Sequence, residues 1–148
     1  MTKISAPDLT LRPPRSPRVR LGGYAHLPRL LDKARAFAAG KHGEYVYNCP
    51  LDRQFFEFTG IGHKAFLAAV KTGNSDTEML AWVNAHTKRL PPEIVQWSSW
   101  MESRCPGGAE GHGRFQEVIL KLAPERTDIA TNFERLDLDD YVSFGGKG

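Results

Sequence analysis

Residues 11–24, LRPPRSPRVRLGGY, contain four arginines, three prolines and a Gly-Gly pair, with no acidic residue among them. Because proline fixes φ near about −65° and has no N–H, this segment is predicted to be neither a helix nor a central strand. We predict an extended arm, largely polyproline II, that turns at Gly22 and Gly23. Polyproline II has about three residues per turn, so Arg12, Arg15 and Arg18 are expected on one face.

The rest of the sequence has the composition of one folded domain. The chain has 148 residues, of which 41 % are hydrophobic and 25 % charged, and a chain of this length can bury a core without disulfides. We predict a single domain over residues 1–148, with flexible ends at 1–10 and 145–148. No membrane span or signal peptide is evident, and two cysteines are too few for a disulfide framework. These features predict a cytoplasmic protein with no membrane partner.

Charge is distributed unevenly along the chain. Residues 1–43 contain nine Lys or Arg and two acids, a net charge of +7, whereas residues 44–148 contain eleven Lys or Arg and fifteen acids, a net charge of −4. A basic N-terminal third favours an anionic partner. The alternative is that the arm docks on the acidic part of its own chain, where Asp137, Asp139 and Asp140 cluster.

Hydrophobic spacing and capping residues predict a mainly α fold. Pro28 suits the first position of a helix that Gly40 ends, and Ser75 with Glu78 has the spacing of a capping box. The predicted helices are 28–39, 50–58, 65–72, 75–86, 91–104, 114–123 and a short one at 129–135. Residues 105–113 are predicted to be a glycine-rich loop. Tyr45 and Tyr47 alternate with Val46, which predicts at most a short β piece near residues 44–48.

Residues 12–52 concentrate the polar and aromatic groups, and we predict a site there for a small anionic metabolite, a phosphate or a carboxylate. Guanidinium groups suit such anions. The residues expected to hold the anion are Arg15, Arg18 and Arg20, with Lys33 and Arg35 nearby, and those expected to orient the ligand are Tyr24, Tyr45, Asn48 and Asp52. The alternative for Lys33 and Arg35 is an ordinary solvated helix face.

Cys49 is the single candidate for covalent chemistry. It follows Asn48 and precedes Pro50, which can open a helix. A helix N-terminus is a position that favours reactive thiols. The alternative is an inert cysteine, which is the more common case. Whether the protein is an enzyme therefore stays open at the level of the sequence.

Cofactor and metal motifs are incomplete. Gly60, Gly62 and Ala65 match G-x-G-x-x-A, but no buried strand precedes them, as a dinucleotide site requires. His42 and Glu44 match the H-x-E of zinc deaminases, but no P-C-x-x-C follows. We therefore predict no cofactor and no metal site.

A nucleic-acid or protein adaptor that uses the basic arm is the alternative function. The helices across 62–104 are joined by short turns, as in helix-turn-helix units, but their basic residues form no dense stripe. A third outcome is structural, with the arginines of the arm bound to Asp137, Asp139 and Asp140.

Five segments together resemble a known family. They are RPPRSPRVRLGGY, LPRLLDKARA, GEYVYNCPLD, FFEFTGI and the C-terminal LDLDDYVSFGGK. With these segments the chain is similar, over nearly its whole length, to a bacterial domain family of unknown function, family 5069. The resemblance implies that the chain is one complete module to which the arm and the tail belong. It implies no activity and no catalytic residues.

Overall fold

A computed structural model describes residues 5–148 and confirms the mainly α prediction. The elements are β1 (Arg20–Leu21), β2 (Tyr24–Ala25), α1 (Leu27–Ala38), α2 (Pro50–Thr59), α3 (His63–Lys71), α4 (Asp76–His86), α5 (Pro91–Ser103), α6 (Gly108–Leu122) and α7 (Asn132–Ser143). The short β piece expected near residues 44–48 was misplaced. That segment runs as turns, and the two described strands lie at the end of the arm instead.

The helix boundaries follow the local signals in most of the chain. Proline occupies the first turn of α1, α2 and α5, where a missing N–H costs nothing. Ser75 caps α4, since its hydroxyl accepts from Glu78 N while the Glu78 carboxylate accepts from Ser75 N. Gly60 ends α2 in the left-handed region, with φ of 75°. Among the helices of residues 5–148, none is both long and apolar enough to cross a membrane.

Two predictions about the C-terminal third were wrong. Residues 105–113 were expected to form a loop, but α6 already begins at Gly108. The short helix expected at 129–135 begins later, at Asn132, and continues to Ser143. Thr131 caps this helix because its hydroxyl accepts from Glu134 N, and the Glu134 carboxylate accepts from Thr131 N in return. Local capping at Thr131 therefore determines where the helix begins, and its tertiary contacts extend it.

The arm ends in a tight hairpin. Gly22 and Gly23 have φ of 59° and 86°, the left-handed conformation that a type I′ hairpin turn requires at both positions. The strands pair antiparallel, with Arg20 opposite Ala25. Ser98 of α5 holds the turn, since its hydroxyl accepts from Ala25 N at 2.8 Å and donates to the Gly23 carbonyl at 2.6 Å. The predicted turn is confirmed, and it is attached to α5.

The apolar interior has two parts. The larger is built on the hairpin and α1 to α5, with Phe55 and Phe66 fully buried at its centre. The smaller lies between α6 and α7 and contains Phe115 and Ile119. Phe133 at the start of α7 belongs to the larger cluster. The residue therefore joins the C-terminal helix pair to the rest of the fold.

The guanidinium groups of the arm bind carboxylates of the same chain. Arg15 donates to Asp32 of α1 through Nε at 3.0 Å and to Asp76 of α4 through Nη1 at 2.7 Å. Arg18 donates to Asp137 of α7 at 3.0 Å. These contacts attach the arm to three helices, α1, α4 and α7. They agree with the structural alternative for Asp137, whereas the strongest contacts are made with two aspartates that the sequence did not single out.

The remaining charged contacts of this region follow the same pattern. Arg20 pairs with Glu102 of α5, with 3.0 Å between Nη2 and Oε1. Upstream of the arm, Leu9 is buried and its N–H donates to the Lys41 carbonyl at 2.9 Å. The part of the predicted flexible end at residues 1–4 lies outside the described residues.

Arg15→Ala is expected to lower the free energy of unfolding by about 1–2 kcal/mol. The substitution removes charge-assisted hydrogen bonds to two carboxylates, and their value is reduced because about a third of the Arg15 side chain is exposed. Urea denaturation measures the change. Arg12→Ala is the matched control, since Arg12 is exposed in the same arm. Equal stability of the two variants would contradict a stabilising role for the Arg15 ion pairs.

Candidate functional site

One large cavity opens between α1, the segment that precedes α2, and α7. Its volume is about 860 Å³, which is within the usual range for small-molecule sites. His26, Lys33 and Cys49 contribute to one wall, and Asp140 and Leu136 of α7 contribute to the other. The cavity therefore lies where α1 and residues 44–52 face α7.

The carboxylate of Asp52 organises the deep end of this site. Asp52 is fully buried, and its two oxygens contact different partners, Oδ1 with His26 Nε2 at 2.8 Å and Oδ2 with Lys33 Nζ at 2.8 Å. Burial by itself would raise the pKa of Asp52. The hydrogen bond from His26 and the charge of Lys33 outweigh burial and lower the pKa to about 2. Asp52 is therefore ionised at neutral pH.

Among residues 5–148, His26 is the only histidine whose ring contacts the Asp52 carboxylate. The residue caps α1 with a left-handed backbone, φ of 70°, an uncommon conformation outside glycine. Burial lowers the pKa of His26, although Asp52 opposes the shift, and the ring is therefore neutral. Because a carboxylate only accepts, we assign the ring proton to Nε2. Nδ1 is then an acceptor, and it has no hydrogen-bond partner within residues 5–148.

Lys33 joins the carboxylate to the thiol of Cys49. Its Nζ lies 3.2 Å from Cys49 Sγ as well as 2.8 Å from Asp52. An ammonium group has three N–H donors, and these two contacts use two of them. Lys33 is only 4 % exposed, so its expected alternative as part of a solvated helix face was wrong. We call His26, Lys33, Cys49 and Asp52 the Asp52 cluster.

A second buried ion pair lies beside this cluster. Arg29, 3 % exposed, donates to Asp140 of α7 at 2.7 Å. The hydroxyl of Tyr45 donates to the same carboxylate at 2.7 Å, and the Arg29 guanidinium lies over the Tyr45 ring. Burial and the hydrogen bond to Asp140 raise the pKa of Tyr45. Tyr45 is therefore a neutral donor in the cavity wall.

Two further cations line the cavity. Arg104 and Arg135 line it, and the Arg104 guanidinium lies 4.5 Å from the centroid of the Trp100 ring. Neither guanidinium forms an ion pair with a carboxylate in the described part of the chain. Glu44 and Asp139 also line the wall. The cavity wall therefore carries positive and negative side chains, and two of its guanidinium groups are available to a ligand.

The structure brings together only part of the predicted site. Lys33, Tyr45 and Cys49 line the cavity, and Asp52 lies directly behind them. Asn48 precedes Cys49 with a left-handed backbone, φ of 63°. The arginines of the arm that were predicted to hold the anion are not part of this cavity wall, and it is α1 that meets residues 44–52.

The other predicted residues lie elsewhere. Arg15, Arg18 and Arg20 are bound to carboxylates of the chain, as described above. Arg35 donates to Asp76 at 2.8 Å and is not part of a freely solvated face. Tyr24 is fully buried in the core, with its ring centroid 5.4 Å from that of Phe55.

Sequence reasoning missed His26 and Arg29. Arg29 and Lys33 are four residues apart in a helix, which places both on one face, so this spacing was a usable signal. The contact of Arg29 with Asp140 joins residues 111 positions apart, and no local pattern indicates it. Among residues 5–148, no three His, Cys, Asp or Glu side chains are grouped in a way that could hold a metal ion.

Comparison with known proteins identifies a family. The model of a family described as a domain of unknown function, DUF5069, matches residues 11–142. No curated protein matches the chain. The matched range contains the arm, the Asp52 cluster and the part of α7 that faces the cavity.

Asp52→Asn is expected to lower stability most at neutral pH. The folded-state pKa of Asp52 is about 2, against 3.8 for the ordinary value, so its ionised form contributes stability above about pH 4 that is lost as the pH falls towards 2. We expect the difference in free energy of unfolding between wild type and variant to shrink by about 2 kcal/mol over that interval. Urea denaturation at several pH values measures it.

Asp139→Asn is the control, since Asp139 lines the same cavity outside the Asp52 cluster. Its difference from wild type should stay small at every pH. A difference for Asp52→Asn that does not change between pH values of about 5 and 2 would contradict an ionised, buried Asp52.

Proposed function

The chain belongs to the DUF5069 family, and we propose from its own geometry that the cavity binds a small anionic ligand. The observation that carries the proposal is the set of cations around a cavity of about 860 Å³. Two of them, Arg104 and Arg135, have no carboxylate partner within residues 5–148, and Lys33 retains an unused N–H. Oriented donors of this kind are what a carboxylate or phosphate requires.

The balance of charges favours a singly charged ligand. Arg29 and Lys33 are already compensated by Asp140 and Asp52, and Glu44 and Asp139 add negative charge to the wall. The charges of Glu44 and Asp139 cancel those of Arg104 and Arg135, so a dianion would leave two uncompensated negative charges in the cavity and a monoanion only one. A small carboxylate with polar substituents therefore suits the site better than a phosphate monoester.

The proposal moves the predicted anion site from the arm to the cavity. The guanidinium groups of Arg15, Arg18 and Arg20 would have to leave their own carboxylates before they could bind an external anion, and that exchange costs the ion pairs already formed. The same cost applies to an adaptor that binds nucleic acid through the arm. The contacts of the arm therefore favour an anion site in the cavity over an anion site or a nucleic-acid site in the arm.

Anions that bind the cavity are expected to raise the melting temperature of the protein. A ligand at about one hundred times its Kd adds about 2.7 kcal/mol to the free energy of unfolding. The measurement is thermal denaturation with glyoxylate, acetate, lactate and phosphate, each compared with chloride at equal ionic strength. Arg135→Gln should reduce the stabilisation, because it removes a cavity cation that has no structural ion pair.

Arg15→Ala is the matched control. It lowers stability but leaves the cavity cations in place, so the ligand-induced shift should equal that of wild type. Loss of the shift in Arg15→Ala with retention in Arg135→Gln would return the site to the arm. The absence of a shift with every one of the four anions would contradict an anion site in the cavity.

A further inference from the structure

Cys49 combines three features that distinguish it from the other cysteine of the chain. It precedes the ten-residue helix α2 as its N-cap, it is half-buried in the cavity wall, and its Sγ lies 3.2 Å from Lys33 Nζ. A helix N-terminus and a neighbouring ammonium group are the surroundings in which protein thiols act as nucleophiles. Cys105, in contrast, is exposed, and its Sγ lies 3.8 Å from the Ser103 carbonyl oxygen.

The ammonium group beside the thiol is held in place. Lys33 is 4 % exposed, and Asp52 accepts from it at 2.8 Å while also accepting from His26. The side chain is therefore confined by a buried carboxylate, which itself is fixed by a second hydrogen bond. The third N–H of Lys33 remains for an oxygen atom that gains negative charge next to Sγ.

A separate observation indicates that a ligand group belongs in this wall. His26 is completely buried and contributes to the cavity wall, yet its Nδ1 has no partner in the described chain. A buried acceptor without a hydrogen bond is destabilising, because nothing replaces the hydration that it has lost. A hydroxyl group carried by a ligand is a neutral donor that would satisfy it.

We propose that Cys49 is the nucleophile of the cavity and adds reversibly to the carbonyl carbon of a small 2-oxo acid. This inference rests on the proposed anion site and names the class of its ligand. The Sγ electron pair forms the S–C bond, and the π pair of the C=O bond moves to oxygen. The proton released by the thiol ends on that oxygen. The product is a hemithioacetal or hemithioketal, whose new hydroxyl is a donor of the kind that His26 Nδ1 lacks.

The test compares alkylation of the two cysteines by iodoacetate and iodoacetamide. Peptide mass spectrometry follows each cysteine separately, so Cys105 is an internal control for reagent and pH. We expect iodoacetate to modify Cys49 about tenfold faster than Cys105, although Cys49 is the less accessible of the two. The ratio of the iodoacetate rate to the iodoacetamide rate should also be higher at Cys49, because the anionic reagent is attracted to the cavity.

Variants separate the two parts of the inference. Lys33→Met should reduce the Cys49 rate to that of Cys105 with both reagents, and Lys33→Arg should restore part of it. Arg135→Gln should lower only the advantage of iodoacetate. Lys33→Met leaves the buried Asp52 carboxylate without its cation, and this change can prevent folding. The next experiment therefore uses the wild-type protein and does not depend on this variant.

Glyoxylate is expected to protect Cys49 of the wild-type protein from iodoacetamide, and dialysis should reverse the protection. Acetate carries the same charge without a carbonyl group, and it should protect much less. Equal protection by both anions would overturn the covalent step while supporting the anion site. Slow alkylation of Cys49 by both reagents would overturn the nucleophile, and rapid alkylation without preference for iodoacetate would contradict the proposed anion site alone.

Discussion

The buried carboxylate of Asp52 is the interaction on which the site depends. A buried carboxylate is tolerated only when its oxygens have hydrogen-bond or ionic partners. The two oxygens of Asp52 lie 2.8 Å from His26 Nε2 and 2.8 Å from Lys33 Nζ. His26 is the N-cap of α1 and Lys33 lies in the middle of that helix, whereas Asp52 lies in the first turn of α2. The ion pair therefore fixes the beginning of α2 against α1, and Cys49 is brought to Lys33 as a consequence.

The arm distributes its charge among the helices around it. Arg15, Arg18 and Arg20 contact Asp32, Asp76, Asp137 and Glu102, which lie in α1, α4, α7 and α5. Of these acids, Asp76, Asp137 and Glu102 belong to the acidic part of the chain at residues 44–148. Arg104 and Arg135 at the cavity have no carboxylate partner within residues 5–148, and this difference is the reason for placing the ligand there.

Local sequence signals were sufficient for most of the secondary structure. Proline at a first turn, the Ser75 capping box and glycine at a helix end act within four residues, so their effects are visible in the sequence alone. They failed at α6, where the glycines between 107 and 113 were taken for a loop although the helix begins at Gly108. Glycine lowers helix propensity by only about 1 kcal/mol, and the packing of Phe115 and Ile119 against α7 outweighs that cost.

The sequence by itself determined a mainly α chain, a turn at Gly22 and Gly23, and a cysteine at the start of a helix, because each depends on backbone geometry over a few residues. Tertiary structure alone decided which carboxylate each cation meets. Arg29 pairs with Asp140 across 111 positions, and Arg15 reaches Asp76 across 61. Arginine and lysine side chains are long and flexible, so their partners are set by the packing of the helices that carry them. For that reason three arginines of the arm bind carboxylates of the chain. Lys33, which was predicted near the anion with a solvated helix face as the alternative, lies in the cavity wall.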